Sequence, residues 1–259
     1  MMITKWSGKD FFIAQIYVDD IIYGSTSKKL DDGFQNSSCE EFKMSSVGKL
    51  RFFLGLRIQQ HKNEIYIYQE QYANLVKIFF LEKPTPKLSL MSITGKPQRG
   101  EKGDKVDLKL YRFIIGSFLY LIATRPDIAF SGSCCERFQV DPKESHLTTV
   151  KRILRCIKHT TGFSLYYIFD TNTELTTYSD ADRAGCMEEK KSTTKGFFHV
   201  GLNLVAWHSK KQNSLSLSTC EAQYIASGSC YTQLLWMKQM LTDHGTDVET
   251  VKIICDSNY

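Results

Sequence analysis

Hydrophobic and polar positions follow two periods along this chain, first short and then helical, and short again towards the end. Phe11-Phe12-Ile13-Ala14-Gln15-Ile16-Tyr17-Val18 and Ile21-Ile22-Tyr23 flank Asp19-Asp20, and Gly24-Ser25 ends the pattern. Apolar, β-branched and aromatic runs around a short polar break predict two strands joined by a hairpin turn. Lys28 to Phe42 predicts a helix with Leu30, Phe34 and Phe42 on its inner side. Leu50 to Ile58 predicts a strand, His61 to Glu64 a turn and Ile65 to Tyr68 the returning strand. Gly55, inside the first of these strands, marks close approach of another backbone, or else a bulge or packing gap. Gln69 to Leu81 carries Tyr72, Leu75, Val76 and Phe79 at helical spacing.

Residues 83–106 lose all period. Pro84, Pro86, Pro97, Gly95, Gly100, Gly103 and several lysines predict a linker or exposed loop. Helical spacing resumes at Tyr111 with Phe113, Ile114, Phe118, Leu121 and Ile122, and breaks at Arg125-Pro126-Asp127. A short helix over Asp127 to Phe138 follows. Asp141-Pro142-Lys143-Glu144 then predicts a helix start, with Asp141 as N-cap, Pro142 at the first helical position and Glu144 at the third. That helix buries Leu147, Val150, Leu154 and Ile157 and ends at Gly162. From there strands return: Ser164 to Phe169, Glu174 to Tyr178 running into Ser179-Asp180-Ala181-Asp182, Phe197 to Val200, and Leu204 to Ser209. Lys210-Lys211-Gln212-Asn213 predicts a basic turn, Ser218 to His244 a long helix, and Val251 to Asp256 a last strand.

Length and composition narrow the class. With 259 residues, 42% hydrophobic and 24% charged, the chain has material for one large domain or two small ones with a globular core. The longest later apolar stretch, Phe113 to Ala123, is shorter than the ~20 residues a membrane span needs. No signal peptide is visible, and the expectation is an intracellular protein, cytoplasmic or nuclear, without a membrane partner. Eight cysteines show neither Cys-x-x-Cys nor zinc-ligand spacing, which predicts reduced thiols. A net charge of +5 suits a nucleic-acid partner without demonstrating one.

Two features carry candidate chemistry. Adjacent carboxylates at a hairpin tip repel one another unless cations meet them, and Mg²⁺, which seeks hard oxygen ligands, is the expected cation. An ordinary Asp-rich turn is the plain alternative. Lys151, Arg152, Arg155 and Lys158 line much of the helix after Glu144. Such a stripe is by default a solvated face, and otherwise a surface that tracks phosphates.

Tyr17-Val18-Asp19-Asp20 between strands resembles the palm hairpin of reverse transcriptases. Further motifs follow in the order found in copia-type LTR retrotransposon polyproteins: Phe53-Leu54-Gly55-Leu56, Thr124-Arg125-Pro126-Asp127-Ile128, Val150-Lys151-Arg152-Ile153-Leu154-Arg155, Tyr178-Ser179-Asp180-Ala181-Asp182, Lys191-Ser192-Thr193, Trp207, Ser218-Thr219-Cys220-Glu221-Ala222 and Cys255-Asp256. The resemblance covers nearly the whole chain. It implies an α+β to α/β fold in which partial palm hairpins with thumb-like helices precede an RNase H-like mixed sheet with helices. The implied borders are 1–82 for the palm and start of the thumb, 83–106 for the linker, 107–161 for the helical thumb or connection, and 162–259 for the RNase H-like domain. Implied partners are RNA, DNA and the RNA–DNA hybrid, together with the earlier part of the polyprotein, and the implied cofactor is Mg²⁺ or Mn²⁺. Asp19 and Asp20 match polymerase metal ligands, and Asp180 and Asp256 match RNase H metal ligands. Tyr17, Leu54 and Gly55 fall at positions that contact primer or substrate.

The chain departs from that pattern in three ways. A further palm aspartate and the fingers, which precede the hairpin in the family, are not among these residues, so primer extension by this chain alone is not expected. The closing helix and last acidic residue of an RNase H domain are likewise not among them. Within the motifs, Arg183 stands where the family has Trp and Gln223 where it has Glu. A helix capped by Ser218 with Glu221 at its third position turns the Glu221 carboxylate back to the Ser218 N–H. Gln223, about 200° around the helix from Glu221, then faces Asp180 and Asp256 and weakens metal binding there; the alternative is that Gln223 is merely a surface residue and Glu221 the ligand. An incomplete or inactive enzyme is one reading of the whole, and a non-catalytic nucleic-acid-binding or partner-binding remnant is the other.

Overall fold

A computed structural model of the chain describes residues 1–74, 89–91, 103–186, 189–248 and 250–255. The architecture is mixed α/β, and the chain divides into two units, Met1–Phe53 and Leu54–Tyr259. The predicted linker and the helix over Gln69 to Leu81 lie largely outside the described residues, as does Asp256.

In the first unit the predicted hairpin gains a strand. β1 (Met2–Ser7), β2 (Asp10–Tyr17) and β3 (Asp20–Ser25) form an antiparallel meander, with Met2 opposite Gln15 and Tyr17 opposite Asp20. Alternation puts Phe12 and Ala14 of β2 on the buried face. Helix α1 (Lys28–Glu41) packs there through Phe34, whose ring lies 5.0 Å from both Phe12 and Tyr23. Leu30 and Phe42 are not buried as expected, and Phe42 is exposed. The helix ends at Glu41, so the extended backbone of Phe42 carries its ring off the face that Phe34 uses.

β4 (Phe52–Phe53) and β5 (Leu56–Gln60) replace the single predicted strand over Leu50 to Ile58. Leu54 and Gly55 both take positive φ, 48° and 76°, and this turn interrupts the strand. In the second unit β5 pairs antiparallel with β6 (Glu64–Tyr68), and β6 pairs antiparallel with β7 (Leu165–Ile168), Glu64 standing opposite Ile168. The change of period at Gly162 groups β7 with the strands that follow it, yet its backbone partner is β6.

Between β6 and β7 lie α2 (Leu108–Ile122), a 3₁₀ turn (Pro126–Ile128), α3 (Ala129–Glu136) and α4 (Glu144–His159). Their apolar faces meet in a core that includes Tyr111, Ile114, Phe118, Leu121, Val150, Ile153, Leu154 and Ile157. The start of α4 is not the expected one. Lys143, not Asp141, is the N-cap, and its N–H donates to Nδ1 of His146 at 3.0 Å. Lys143 is held extended by a bridge to Lys105, with the Val106 N–H on the Pro142 carbonyl, so the helix cannot begin at Pro142.

The second sheet has the order β10-β9-β8-β11, where β8 is Leu175–Asp182, β9 Lys191–Val200, β10 Asn203–Leu215 and β11 Val251–Cys255. β8, β9 and β10 are antiparallel neighbours, and β11 runs parallel to β8. The expected basic turn at Lys210-Lys211-Gln212-Asn213 is strand instead. Gln212 is buried, and its amide donates to Thr194 Oγ1 and to the Ala222 carbonyl, so a polar residue satisfied inside the fold mimics a turn in the sequence. Helix α5 (Thr219–Asp243) covers one face of this sheet with Ala222, Ala226, Cys230, Leu234 and Met237, spaced at helical intervals and packed towards Leu175 and Phe198. Trp207 Nε1 donates to the Ile122 carbonyl and ties the sheet to α2. All eight cysteines are free thiols. Among the described residues no helix is long and apolar enough to cross a membrane.

Candidate functional site

The aspartate pair lies at the tip of the β2–β3 hairpin. Tyr17 pairs with Asp20, leaving Val18 and Asp19 as a two-residue turn. Val18 has φ 51° and is 82% exposed. A left-handed backbone is costly for a β-branched residue and is normally given to glycine in such turns. The strain is carried by a well-anchored base: Phe12 and Ala14 are buried, and the Tyr23 hydroxyl donates to Gln35 Oε1 of α1. Asp19 and Asp20 are exposed and border a hollow of about 590 Å³ closed by α1 and residues 44–53. Tyr17, beside them, is half exposed.

The Leu54-Gly55 turn is fixed from outside. The Tyr120 hydroxyl, from α2, donates to the Leu54 carbonyl at 2.7 Å. A Cβ on Gly55 would lie 1.8 Å from that oxygen. The close approach expected at Gly55 is therefore made by a side chain and not by a backbone.

Part of the basic stripe on α4 is occupied by the protein itself. Lys151 faces Glu144 at 3.7 Å, and Arg152 donates through Nε to the Ser89 carbonyl at 2.9 Å. Arg155 is only partly exposed, with its Nε buried and unpartnered.

Around Asp180 the sheet separates what the sequence groups together. Along β8 the side chains of Thr177 and Ser179 are buried on the α5 face, whereas Tyr178, Asp180 and Asp182 project from the other. There Asp180 stands directly opposite Lys195 of β9, whose Nζ lies 2.8 Å from its Oδ2. The same ammonium sits 4.6 Å from the ring centre of Phe130 on α3. On the α5 face, Ser218 caps the helix by accepting from the Glu221 N–H at 3.0 Å. The Glu221 carboxylate turns back one residue further than expected, to the Leu217 N–H at 2.6 Å, because extended Ser218 presents the preceding amide to it. Gln223 reaches β8, but its Nε2 donates to the Ser179 carbonyl at 2.8 Å. Arg183 donates to the Leu217 carbonyl and so holds the turn after β8 against the start of α5. Cys255, the last described residue of β11, lies opposite Ser179.

Two titrating groups on this sheet are perturbed. Burial pulls the pKa of His199 and of His208 below the ordinary imidazole value, and Lys210 adds to the effect at His208. Burial raises the Cys230 thiol.

Divalent metal fits the two centres differently. Asp19 and Asp20 are accessible hard-oxygen donors, although among the described residues no group of three or more His, Cys, Asp or Glu side chains converges to hold an ion. Asp180 is already matched by an ammonium, and Gln223 of α5 is a neutral amide bonded to the Ser179 backbone. Lys195, Phe130 and Tyr120 were missed by sequence reasoning. A signal for Lys195 exists, since it alternates with Phe197 and His199 on one face of the strand that opposes Asp180.

Comparison with known proteins agrees with the resemblance to retrotransposon polyproteins. Residues 1–87 match the family described as reverse transcriptase (RNA-dependent DNA polymerase). The retrovirus-related Pol polyprotein from transposon TNT 1-94 of Nicotiana tabacum is 30% identical over 98% of this chain and 20% of its own length. That from transposon RE1 of Arabidopsis thaliana is 29% identical over 96% of this chain and 17% of its own length. A protein from Plasmopara viticola named secreted RxLR effector protein 161 is 34% identical over 49% of this chain and 90% of its own length. No solved structure matches the chain. The chain spans about a fifth of the Pol polyproteins it is similar to. With its aspartate hairpin inside the matched segment, this chain belongs to the Pol polyprotein family of copia-type retrotransposons, and residues 1–87 are reverse transcriptase-like.

Proposed function

We propose that the chain is a nucleic-acid-binding part of such a Pol polyprotein, a reverse transcriptase palm and thumb region joined to an RNase H-like unit, and that it is catalytically silent by itself. The single observation that carries the reading is Asp19-Asp20 on a strained, exposed two-residue turn whose base is anchored in a three-stranded sheet. Asp19 and Asp20 would hold Mg²⁺ or Mn²⁺, and a bound ion supplies Lewis-acid activation of a primer hydroxyl. Such an ion takes about six oxygen ligands, and two carboxylates leave it weakly held. Tyr17 borders the aspartates, and the Leu54-Gly55 turn, set by Tyr120, would contact the primer end. Asp180 and Asp256 stand at the RNase H ligand positions of this reading, where a silent unit need hold no ion. RNA, DNA and their hybrid are the partners, in the compartment where the element is copied.

A labelled RNA–DNA hybrid titrated with the full chain, alongside primer extension and hybrid cleavage in Mg²⁺ or Mn²⁺, tests the proposal. Salt-sensitive binding without extension or cleavage is expected. Nucleotide incorporation that Asp19→Asn abolishes would refute silence, and absence of binding to any of the three nucleic acids would refute the rest. One observation favours the second reading, a partner-binding remnant. The solvent face of α5 exposes Tyr224, Tyr231, Leu235 and Trp236 at helical spacing.

A further inference from the structure

We propose that Lys195 is a built-in cation that takes up the Asp180 carboxylate where a divalent ion would otherwise bind, keeping metal off that carboxylate. The inference rests on reading the β8–β11 sheet with α5 as RNase H-like, and it adds a named device to that reading. Three features of the fold put the ammonium there. The β8–β9 register sets Asp180 and Lys195 directly opposite each other, so their side chains leave the same face of the sheet. The ion pair is close, at 2.8 Å, and the Lys195 side chain is only 26% exposed. Phe130 on α3 presents its ring to the same Nζ at 4.6 Å, which holds the ammonium over the carboxylate and fixes its approach.

The tether gives Lys195 an advantage that a dissolved ion lacks. Its local concentration is set by strand geometry and does not fall on dilution. A divalent ion approaching Asp180 meets a carboxylate whose charge is already matched, and a positive charge within a few ångströms repels it. Gln223 of α5 offers no competing charge, since it is a neutral amide engaged with the Ser179 carbonyl on the other face of β8. Removing the ammonium therefore leaves the Asp180 carboxylate unmatched, and removing Asp180 as well abolishes that site for a cation.

The experiment measures Mn²⁺ binding to the full chain by electron paramagnetic resonance of the free ion. The wild type is compared with Lys195→Met, Lys195→Gln, Lys195→Arg, Asp180→Asn, and Asp180→Asn combined with Lys195→Met. Methionine keeps the apolar stem against Phe130, glutamine provides a second neutral variant should methionine fail to fold, and arginine keeps the charge. Wild type, Lys195→Arg and Asp180→Asn are expected to bind Mn²⁺ alike. Lys195→Met and Lys195→Gln should gain a site at least on the order of tenfold tighter than any wild-type binding that depends on Asp180. The double variant should lose it. Wild-type Mn²⁺ binding that Asp180→Asn removes would overturn the proposal, and so would neutral Lys195 variants that gain nothing. Hybrid binding by the same proteins keeps the two readings apart: its absence in all of them sinks the RNase H-like reading, whereas the Mn²⁺ comparison decides Lys195 alone.

Discussion

Replacing Gly55 by alanine tests the turn that Tyr120 closes. Gly55 has φ 76°, a left-handed conformation that costs an L-residue about 1–2 kcal/mol. The new Cβ would also lie 1.8 Å from Tyr120 Oη, so the hydroxyl must leave the Leu54 carbonyl. Losing that bond adds about 1 kcal/mol. Gly55→Ala should thus destabilise the second unit by about 2–3 kcal/mol. In a Tyr120→Phe background the hydroxyl is already gone and the next ring atom stands 3.1 Å from the Cβ position, so the backbone cost remains and the ring has only to yield by a few tenths of an ångström. Urea denaturation of the four chains forms a double-mutant cycle, with an expected coupling of about 1 kcal/mol. Additive single-mutant costs would mean that Tyr120 does not set the turn. A cost below about 0.5 kcal/mol for Gly55→Ala would mean that the turn relaxes freely, refuting the reasoning altogether.

Arg125 gives a second stability test. Its side chain is 4% exposed and is gripped by both oxygens of Asp127 and by the backbone carbonyl and hydroxyl of Thr160. Arg125→Ala should cost about 3 kcal/mol in urea denaturation, and Arg125→Lys, which keeps charge but not the fork, about half of that. The partly buried imidazoles predict acid sensitivity. His199 and His208 have pKa values below the ordinary 6.5, so the unfolded chain binds more protons and stability falls as pH drops below 6.5 towards their folded values. Thermal melting from pH 8 to 5 should show that slope, and His208→Phe should flatten it.

Local patterns were legible where one residue's neighbours decide its fate. Alternation around Asp19-Asp20 marks the hairpin, and the spacing of Tyr111, Ile114, Phe118 and Leu121 marks α2, because burial on one face forces those periods. The Ser218 cap was legible for the same local reason. Gly55 betrayed a tight contact, but Leu54 does not advertise a positive φ, so the strand looked unbroken. The polar run over Lys210 to Asn213 hid the extent of β10, since Gln212 finds its partners on β9 and α5. The Asp180–Lys195 pair needs the β8–β9 register, which extends further than apolar residues alone mark. None of the sequence around β7 names β6 as its partner, because the choice is made by residues about 100 positions away.

That distance has a consequence during synthesis. β6 is paired on one side by β5 soon after it is made, but its other edge waits until Leu165 to Ile168 have been translated. At about 5–20 residues per second the wait is on the order of 5–20 s. Throughout it the edge offers unpaired backbone groups beside Ile65, Tyr66 and Ile67, a template for any extended chain nearby. The last pair to form, Glu64 with Ile168, is then reinforced when the Tyr166 hydroxyl donates to Glu64 at 2.9 Å. A ribosome stalled while α4 emerges would hold a nearly complete helical core alongside an open strand, which makes that stage the one at which a chaperone has most to protect.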